Sequence, residues 1–215
     1  VFKHVVYPRL LSFKYRGVLS KNLALKNKQN GGRCFIVASG PSVSQLDLGC
    51  LKNESSIVFN EFDKLSKTKE FVPTFHIFAD TCYFTEAPDH YLTQQFLNKP
   101  NAIDPKTNVI INAFGKTFVE SNNLFRNHKI NYVLPYGIIS QYFGFNIDLD
   151  KVVPWPKNSV IMGIMLAVYS GFKEIYLLGC EHGFLAQPIG IGKSLTYQHS
   201  YNDALANFSQ THFFL

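Results

Sequence analysis

Short runs of consecutive apolar residues, each cut off by a glycine or a polar cluster, constrain this 215-residue chain more than any other feature. Cys34-Phe35-Ile36-Val37-Ala38 has no polar member, and Ile57-Val58-Phe59, Phe75-His76-Ile77-Phe78-Ala79 and Ile175-Tyr176-Leu177-Leu178 are almost as uniform. A strand with one wet face alternates apolar and polar side chains. An unbroken apolar run belongs to a strand covered on both faces, as in a parallel sheet. Val109-Ile110-Ile111 and Tyr132-Val133-Leu134 are further strand candidates. Ile161, Ile164, Met165, Val168 and Tyr169 recur at helical spacing, with Ser159 placed to cap the start and Ser170-Gly171 to end the helix. Residues near 88–98, with Pro88 suited to a first turn, and a short segment carrying Val43, Leu46 and Leu51 also read as helical. Strands alternating with helices predict an α/β fold built on a single doubly wound, mostly parallel, Rossmann-like sheet.

The length suits one domain, which buries roughly 70% of the surface its unfolded chain exposes and needs no metal or disulfide to hold it. Asn30-Gly31-Gly32 breaks the chain ahead of the first strand, dividing a basic lead-in, residues 1–32, from an α/β domain, residues 33–215. The net charge is +6, and Lys3, Arg9, Lys14, Arg16, Lys21, Lys26, Lys28 and Arg33 face no acidic residue over the first 33 positions. Such a segment is either a solvated, partly helical lead-in or a surface for anionic lipid, and Pro8 argues against one unbroken helix through it. Nucleic acid is not expected as a partner, because no stacking aromatics interleave the cations and no recognition motif is present. No stretch reaches 18 consecutive apolar residues, and the start lacks the form of a signal peptide. The four cysteines show no C-x-x-C spacing, which fits a reduced, cytoplasmic setting with at most peripheral contact at the inner face of the membrane. Residues 183–198, loosened by Gly183, Pro188, Gly190 and Gly192, read as a lid loop. The abrupt ending His212-Phe213-Phe214-Leu215 reads as a cut within a longer protein, and self-association is left open.

Chemistry is expected where the runs stop, since open parallel sheets bind ligands beyond the carboxyl ends of their strands. The first run stops at Ser39-Gly40-Pro41-Ser42, the second at Asn60, the third at Asp80 and the last at Gly179-Cys180-Glu181-His182. Gly40 lets backbone approach a ligand, and a helix start there would offer N–H groups to a phosphate. Neither a P-loop nor a dinucleotide fingerprint is present, and an ordinary tight turn is the other reading. Asn60 is a donor to phosphate or base, or a turn former. Asp80 is a sugar ligand, a base or nucleophile, a metal ligand, or a cap for the following turn. His199, in Tyr197-Gln198-His199-Ser200-Tyr201, is the candidate general base. His76, inside an apolar run, belongs to the core. A metal centre from Asp80, Glu181 and His182 has no supporting spacing.

Taken in order, Ile36-Val37-Ala38-Ser39-Gly40-Pro41-Ser42, Phe59-Asn60-Glu61-Phe62, Ser159 through Gly171 to Gly179, and His199-Ser200 with Asn202-Asp203 resemble the bacterial sialyltransferases of glycosyltransferase family 42. The same pattern is similar to the wider 6-hydroxymethylpterin diphosphokinase-like proteins, in which an aspartate ends the third strand and an acidic residue follows the late glycine, as Asp80 and Glu181 do here. The resemblance implies a modified GT-A-type fold and transfer of a sialic-acid-like or Kdo-like sugar from a CMP-activated donor to a glycan acceptor in bacterial surface-polysaccharide assembly, without a metal or other cofactor. It places Ser39, Gly40, Pro41, Ser42, Asn60, Ser159, Gly179, Glu181, His182 and Tyr197 around the donor, His199 as general base and Asp80 as a second catalytic group. Ser39 stands where the sialyltransferases have asparagine, and Asp80 where they have an amide. Their leaving-group tyrosines fall on His182 and Gly183, leaving Tyr197 or Tyr201 as substitutes. Pterin diphosphate transfer with Mg²⁺ and a catalytically degenerate nucleotide-binding scaffold are the alternatives.

Overall fold

The apolar runs become the strands of one sheet. The structure, a computed structural model, describes residues 7–65, 71–85, 87–136 and 147–181. Its elements in chain order are α1 (Tyr7–Leu19), β1 (Arg33–Val37), β2 (Ser55–Phe59), β3 (Phe75–Phe78), α2 (Cys82–Thr85), α3 (Tyr91–Ala102), β4 (Asn108–Asn112), α4 (Lys116–Ser121), β5 (Ile130–Pro135), β6 (Val152–Val153), α5 (Ser159–Ser170) and β7 (Glu174–Leu178). The seven strands run in the order β6-β5-β4-β3-β2-β1-β7, and every pairing is parallel. Steps from β1 to β6 move outward in one direction. Helix α5 then crosses back over β1, β2 and β3, and β7 is laid on the other side of β1.

Helices cover both faces, as a doubly wound sheet requires. On one face α5 packs Met162, Met165 and Leu166 against Ile36, Ile57, Phe59 and Ile77. On the other, Phe96 of α3 and Val119 of α4 pack with Phe78, Phe125, Val109 and Ile111. Strands β3 and β4 are buried along their whole length, which is why their sequences carry so little alternation.

Three local features differ from the sequence reading. The segment after β1 is not a helix but two 3-10 turns, Pro41–Gln45 and Leu48–Leu51, with Asp47 between them accepting from Gly49 N at 3.0 Å. Pro88 precedes the helix rather than opening it; α3 begins at Tyr91, and the Pro88 carbonyl accepts from Gln94 Nε2. Strand β7, read as a buried run, is the last strand of the sheet among the described residues, with Tyr176 and Leu177 43% and 48% exposed. Among the described residues it pairs only with β1, and its side chains are less covered than those of the inner strands.

Residues 7–32, set apart in the sequence by their charge, are joined to the sheet by buried residues. Pro8 sits in the first turn of α1, where its missing N–H costs no helical hydrogen bond. Leu11 and Leu19 enter the core on the α3 side, and Leu25 the core on the α5 side. At the crossing between them Asn22 is fully buried; its Nδ2 donates to the carbonyls of Tyr132 and Leu149, at 2.7 and 2.6 Å. Its Oδ1 accepts from Asn131 Nδ2, and Asn131 Oδ1 accepts from Asn108 Nδ2. A line of side-chain amides thus ties the lead-in to β5 and β4.

Candidate functional site

Carboxyl ends of the strands share one rim of the sheet, and α5, running against the strands, starts there. Asn60 follows β2 in left-handed backbone, φ 48°, a conformation asparagine tolerates better than other non-glycine residues. It is both a turn former and a side-chain donor: its Nδ2 reaches Ser159 Oγ at 3.3 Å. That bond joins the end of β2 to the first residue of α5, 99 positions later in the chain. Ser159 does not cap α5. Asn158 is the cap, accepting from Ile161 N at 2.9 Å, so the Ser159 hydroxyl is turned to Asn60 instead. Asn60 Oδ1 is buried and has no partner among the described residues, an arrangement that ordinarily costs about 1–3 kcal/mol.

The Asn60 turn is fixed from two sides. From below, His76 in β3 places Nε2 2.8 Å from the Asn60 carbonyl oxygen. Burial drives the His76 pKa down to about 3, so the ring is neutral at physiological pH and Nε2 carries the proton it donates to that carbonyl. From the side, Lys99 of α3, only 2% exposed, reaches Glu61 Oε2 at 2.7 Å and Asp63 Oδ1 at 2.5 Å. Lys64 adds a second cation 3.3 Å from Glu61. Charges this deep persist when each has an opposite partner and hydrogen bonds. The cluster went unnoticed in the sequence, yet it left a trace. Leu92, Phe96, Lys99 and Ile103 follow helical spacing, with a lysine at a position where the others enter the core.

Asp80 follows β3, the strand next to β2. Its residue surface is open to solvent, yet surrounding protein desolvates the carboxylate enough to raise its pKa. A carboxyl group of raised pKa with no balancing cation among the described residues is suited to proton transfer.

At Ser39-Gly40-Pro41-Ser42 the geometry differs from the expected phosphate cradle. Gly40 N donates to Gly179 O at 3.0 Å, Val43 N to Gly40 O at 3.1 Å, and Ser42 N to Glu181 Oε1 at 2.7 Å. Pro41 has no N–H. The Gly40, Ser42 and Val43 amides are therefore engaged within the chain, and the anion at the turn is Glu181's carboxylate. Glycine is required at position 40 because a Cβ would collide with the Glu181 carboxylate and the Gly179 carbonyl. This closure spans the boundary between β1 and β7, where the direction of strand addition reverses.

The structure thus brings Asn60 and Ser159 together, puts Asp80 on the neighbouring strand end, and pairs the Gly40–Ser42 turn with Gly179 and Glu181. His182, Tyr197, His199 and the 183–198 loop lie outside the described residues. Among those described, no group of three His, Cys, Asp or Glu side chains is arranged to hold a metal ion.

No family model and no curated protein matches the chain. Among solved structures the chain is similar to one described as the structure of MAf glycosyltransferase from Magnetospirillum magneticum AMB-1, at 17% sequence identity and a TM-score of 0.43. The match covers 79% of this chain and 27% of the other, so the chain spans about a quarter of that protein's length.

Proposed function

We propose that this chain carries the donor-binding part of a nucleotide-sugar-dependent glycosyltransferase, with a CMP-activated, sialic-acid-like or Kdo-like donor and a glycan acceptor. The observation that carries the reading is the meeting of Asn60 with Ser159 at the carboxyl rim of an all-parallel sheet. Ser159 accepts from Asn60, which leaves its own O–H to donate outward. The first turn of α5, a 12-residue helix, adds backbone N–H groups and the positive end of its dipole. These donors suit the phosphate of a nucleoside monophosphate as it gains charge on leaving. The resemblance of the same residues to the family 42 sialyltransferases supports the CMP assignment.

In the reaction so read, a base removes the acceptor hydroxyl proton and the acceptor oxygen attacks the anomeric carbon. The bond to the phosphate oxygen then breaks, with its electron pair leaving on CMP. His199 is the base by resemblance. Asp80 supplies a carboxyl of raised pKa on the same rim, suited to orienting the donor sugar or to acting as base in its own right.

Thermal unfolding measured with CMP, CDP, UDP, GDP and ATP, each with and without Mg²⁺, tests the reading. A bound ligand raises the midpoint by mass action. CMP alone is expected to raise it without Mg²⁺, and Asn60→Ala to abolish the rise while leaving the ligand-free midpoint within a few degrees. A rise only with ATP and Mg²⁺ would transfer the site to diphosphate chemistry. A CMP response untouched by Asn60→Ala would sink the assignment of this rim.

A further inference from the structure

We propose that α1 is a docking surface for the anionic face of a phospholipid bilayer, holding the domain against the membrane by an exposed aromatic and its flanking cations. The inference is independent of the transfer chemistry, since none of its residues touches the Asn60 rim.

At about 100° per residue, Leu11, Tyr15, Val18 and Leu19 form the side of α1 that faces the sheet. Phe13 and Leu10 lie on the opposite side, 79% and 53% exposed. Phe13 is the most exposed aromatic among the described residues, where the next, Tyr176, is 43% exposed. Arg9 and Arg16 border the apolar pair along one flank and Lys14 along the other. The 3-10 turn that continues the helix, Ser20–Leu25, repeats the arrangement with Lys21 beside an exposed Leu23. No ion pair engages Arg9, Arg16 or Lys21 among the described residues, whereas Lys26, further along, is spent on Asp148.

An apolar centre between cations, with no carboxylate over the first 33 positions, matches the layering of an anionic membrane surface. Rings enter the headgroup boundary, and arginine and lysine stems extend to the phosphates around them. A 13-residue helix is too short to span, and no described helix is long and apolar enough to do so. Surface attachment is the geometry left to it. The tilted ring contact of Tyr7 with Tyr136, centroids 5.3 Å apart, puts the start of α1 beside the carboxyl end of β5.

The test is co-sedimentation of the whole chain with vesicles of phosphatidylcholine, with and without about one third phosphatidylserine. Binding is expected only with the anionic lipid, and weaker at about 0.5 M salt. Arg9→Gln with Arg16→Gln should lower partitioning on the order of 30-fold, and Phe13→Ser on the order of tenfold. Both variants alter exposed side chains, so their unfolding midpoints should match the parent and serve as the folding control. Absence of vesicle binding, equal binding to neutral vesicles, or full retention by the variants overturns the proposal. A concentration-dependent dimer dissolved by Phe13→Ser also overturns it, assigning the face to a second copy of the chain.

Discussion

Replacing Lys99 by Met tests whether the buried ion cluster anchors the Asn60 turn. The ammonium sits 2.7 Å from Glu61 Oε2 and 2.5 Å from Asp63 Oδ1, with its side chain 3% exposed. At an effective dielectric constant near 20, each such contact is worth about 6–7 kcal/mol of direct attraction, most of it offset by desolvation. Methionine fills the same volume but leaves two carboxylates facing each other's charge in a site built for a cation. Breaking one side of a buried pair costs about 3–5 kcal/mol. Lys64, 3.3 Å from Glu61, still neutralises part of that charge, which places the expected loss near the lower end, about 3 kcal/mol. A domain of this size has about 5–15 kcal/mol to lose from, so the variant folds. In urea at pH 7 the midpoint should fall by roughly 1 M with an unchanged slope. Adding Glu61→Gln should recover part of the loss, because a buried amide is cheaper to leave unpaired than a buried carboxylate. A loss below about 1 kcal/mol, or a double variant whose loss equals the sum of the singles, would refute the argument.

Acid titration of stability separates two further groups. The folded Asp80 carboxyl has a pKa above its unfolded value, so its ionisation costs stability at neutral pH and nothing below the ordinary carboxylate range. Asp80→Asn is therefore expected to raise the thermal midpoint at pH 7, and the gain should close as the pH falls toward 4; a lower midpoint at pH 7 would contradict it. His76 shifts the other way, from 6.5 to about 3, so the unfolded chain takes up the proton first as pH falls below 6.5. Its contribution is complete above that value and is lost at about 1.4 kcal/mol per pH unit on the way to 3. Urea midpoints of His76→Gln, whose amide still donates to the Asn60 carbonyl, should fall less steeply between pH 6.5 and 4.5 than those of the parent. Gly40→Ala should cost about 1–3 kcal/mol by forcing the Glu181 carboxylate and the Gly179 carbonyl away from the turn. An unchanged denaturation midpoint would mean that the β1–β7 closure is not tight.

How much of this was legible in the sequence depends on the range over which each feature is encoded. Strands β1 to β5 follow from local composition, because a strand buried on both faces can hold little else than apolar residues. Helix α1 was obscured by its own surface. Its cations dominate the composition, while the few residues that dock it (Leu11, Leu19 and then Asn22) are spread over twelve positions and look unremarkable singly. The run in β7 reads like those of the inner strands, but burial depends on a strand's place in the sheet, and among the described residues β7 has one neighbour. That is a property of topology, fixed by α5 crossing back over β1 to β3.

The candidate site follows the same logic. Asn60, Asp80 and Ser159 stand out because polar residues interrupt or border apolar elements, and each interruption needs a reason. Which interruptions meet is a separate question. Asn60 joins Ser159 because the return of α5 over β2 brings its first turn to the end of that strand. Gly40 joins Glu181 because β7 is added beside β1. The turn that looked most like a phosphate cradle is consequently occupied by a carboxylate of the chain itself. On the proposed reading an anionic ligand takes donors one strand further along, at the Ser159 hydroxyl and the start of α5 beside Asn60. If the nucleotide phosphate binds there, exchanging Glu181 for glutamine should alter stability more than ligand affinity. If it binds at Gly40-Pro41-Ser42, removing that charge should instead tighten binding, and the two results are distinguishable in the same titration.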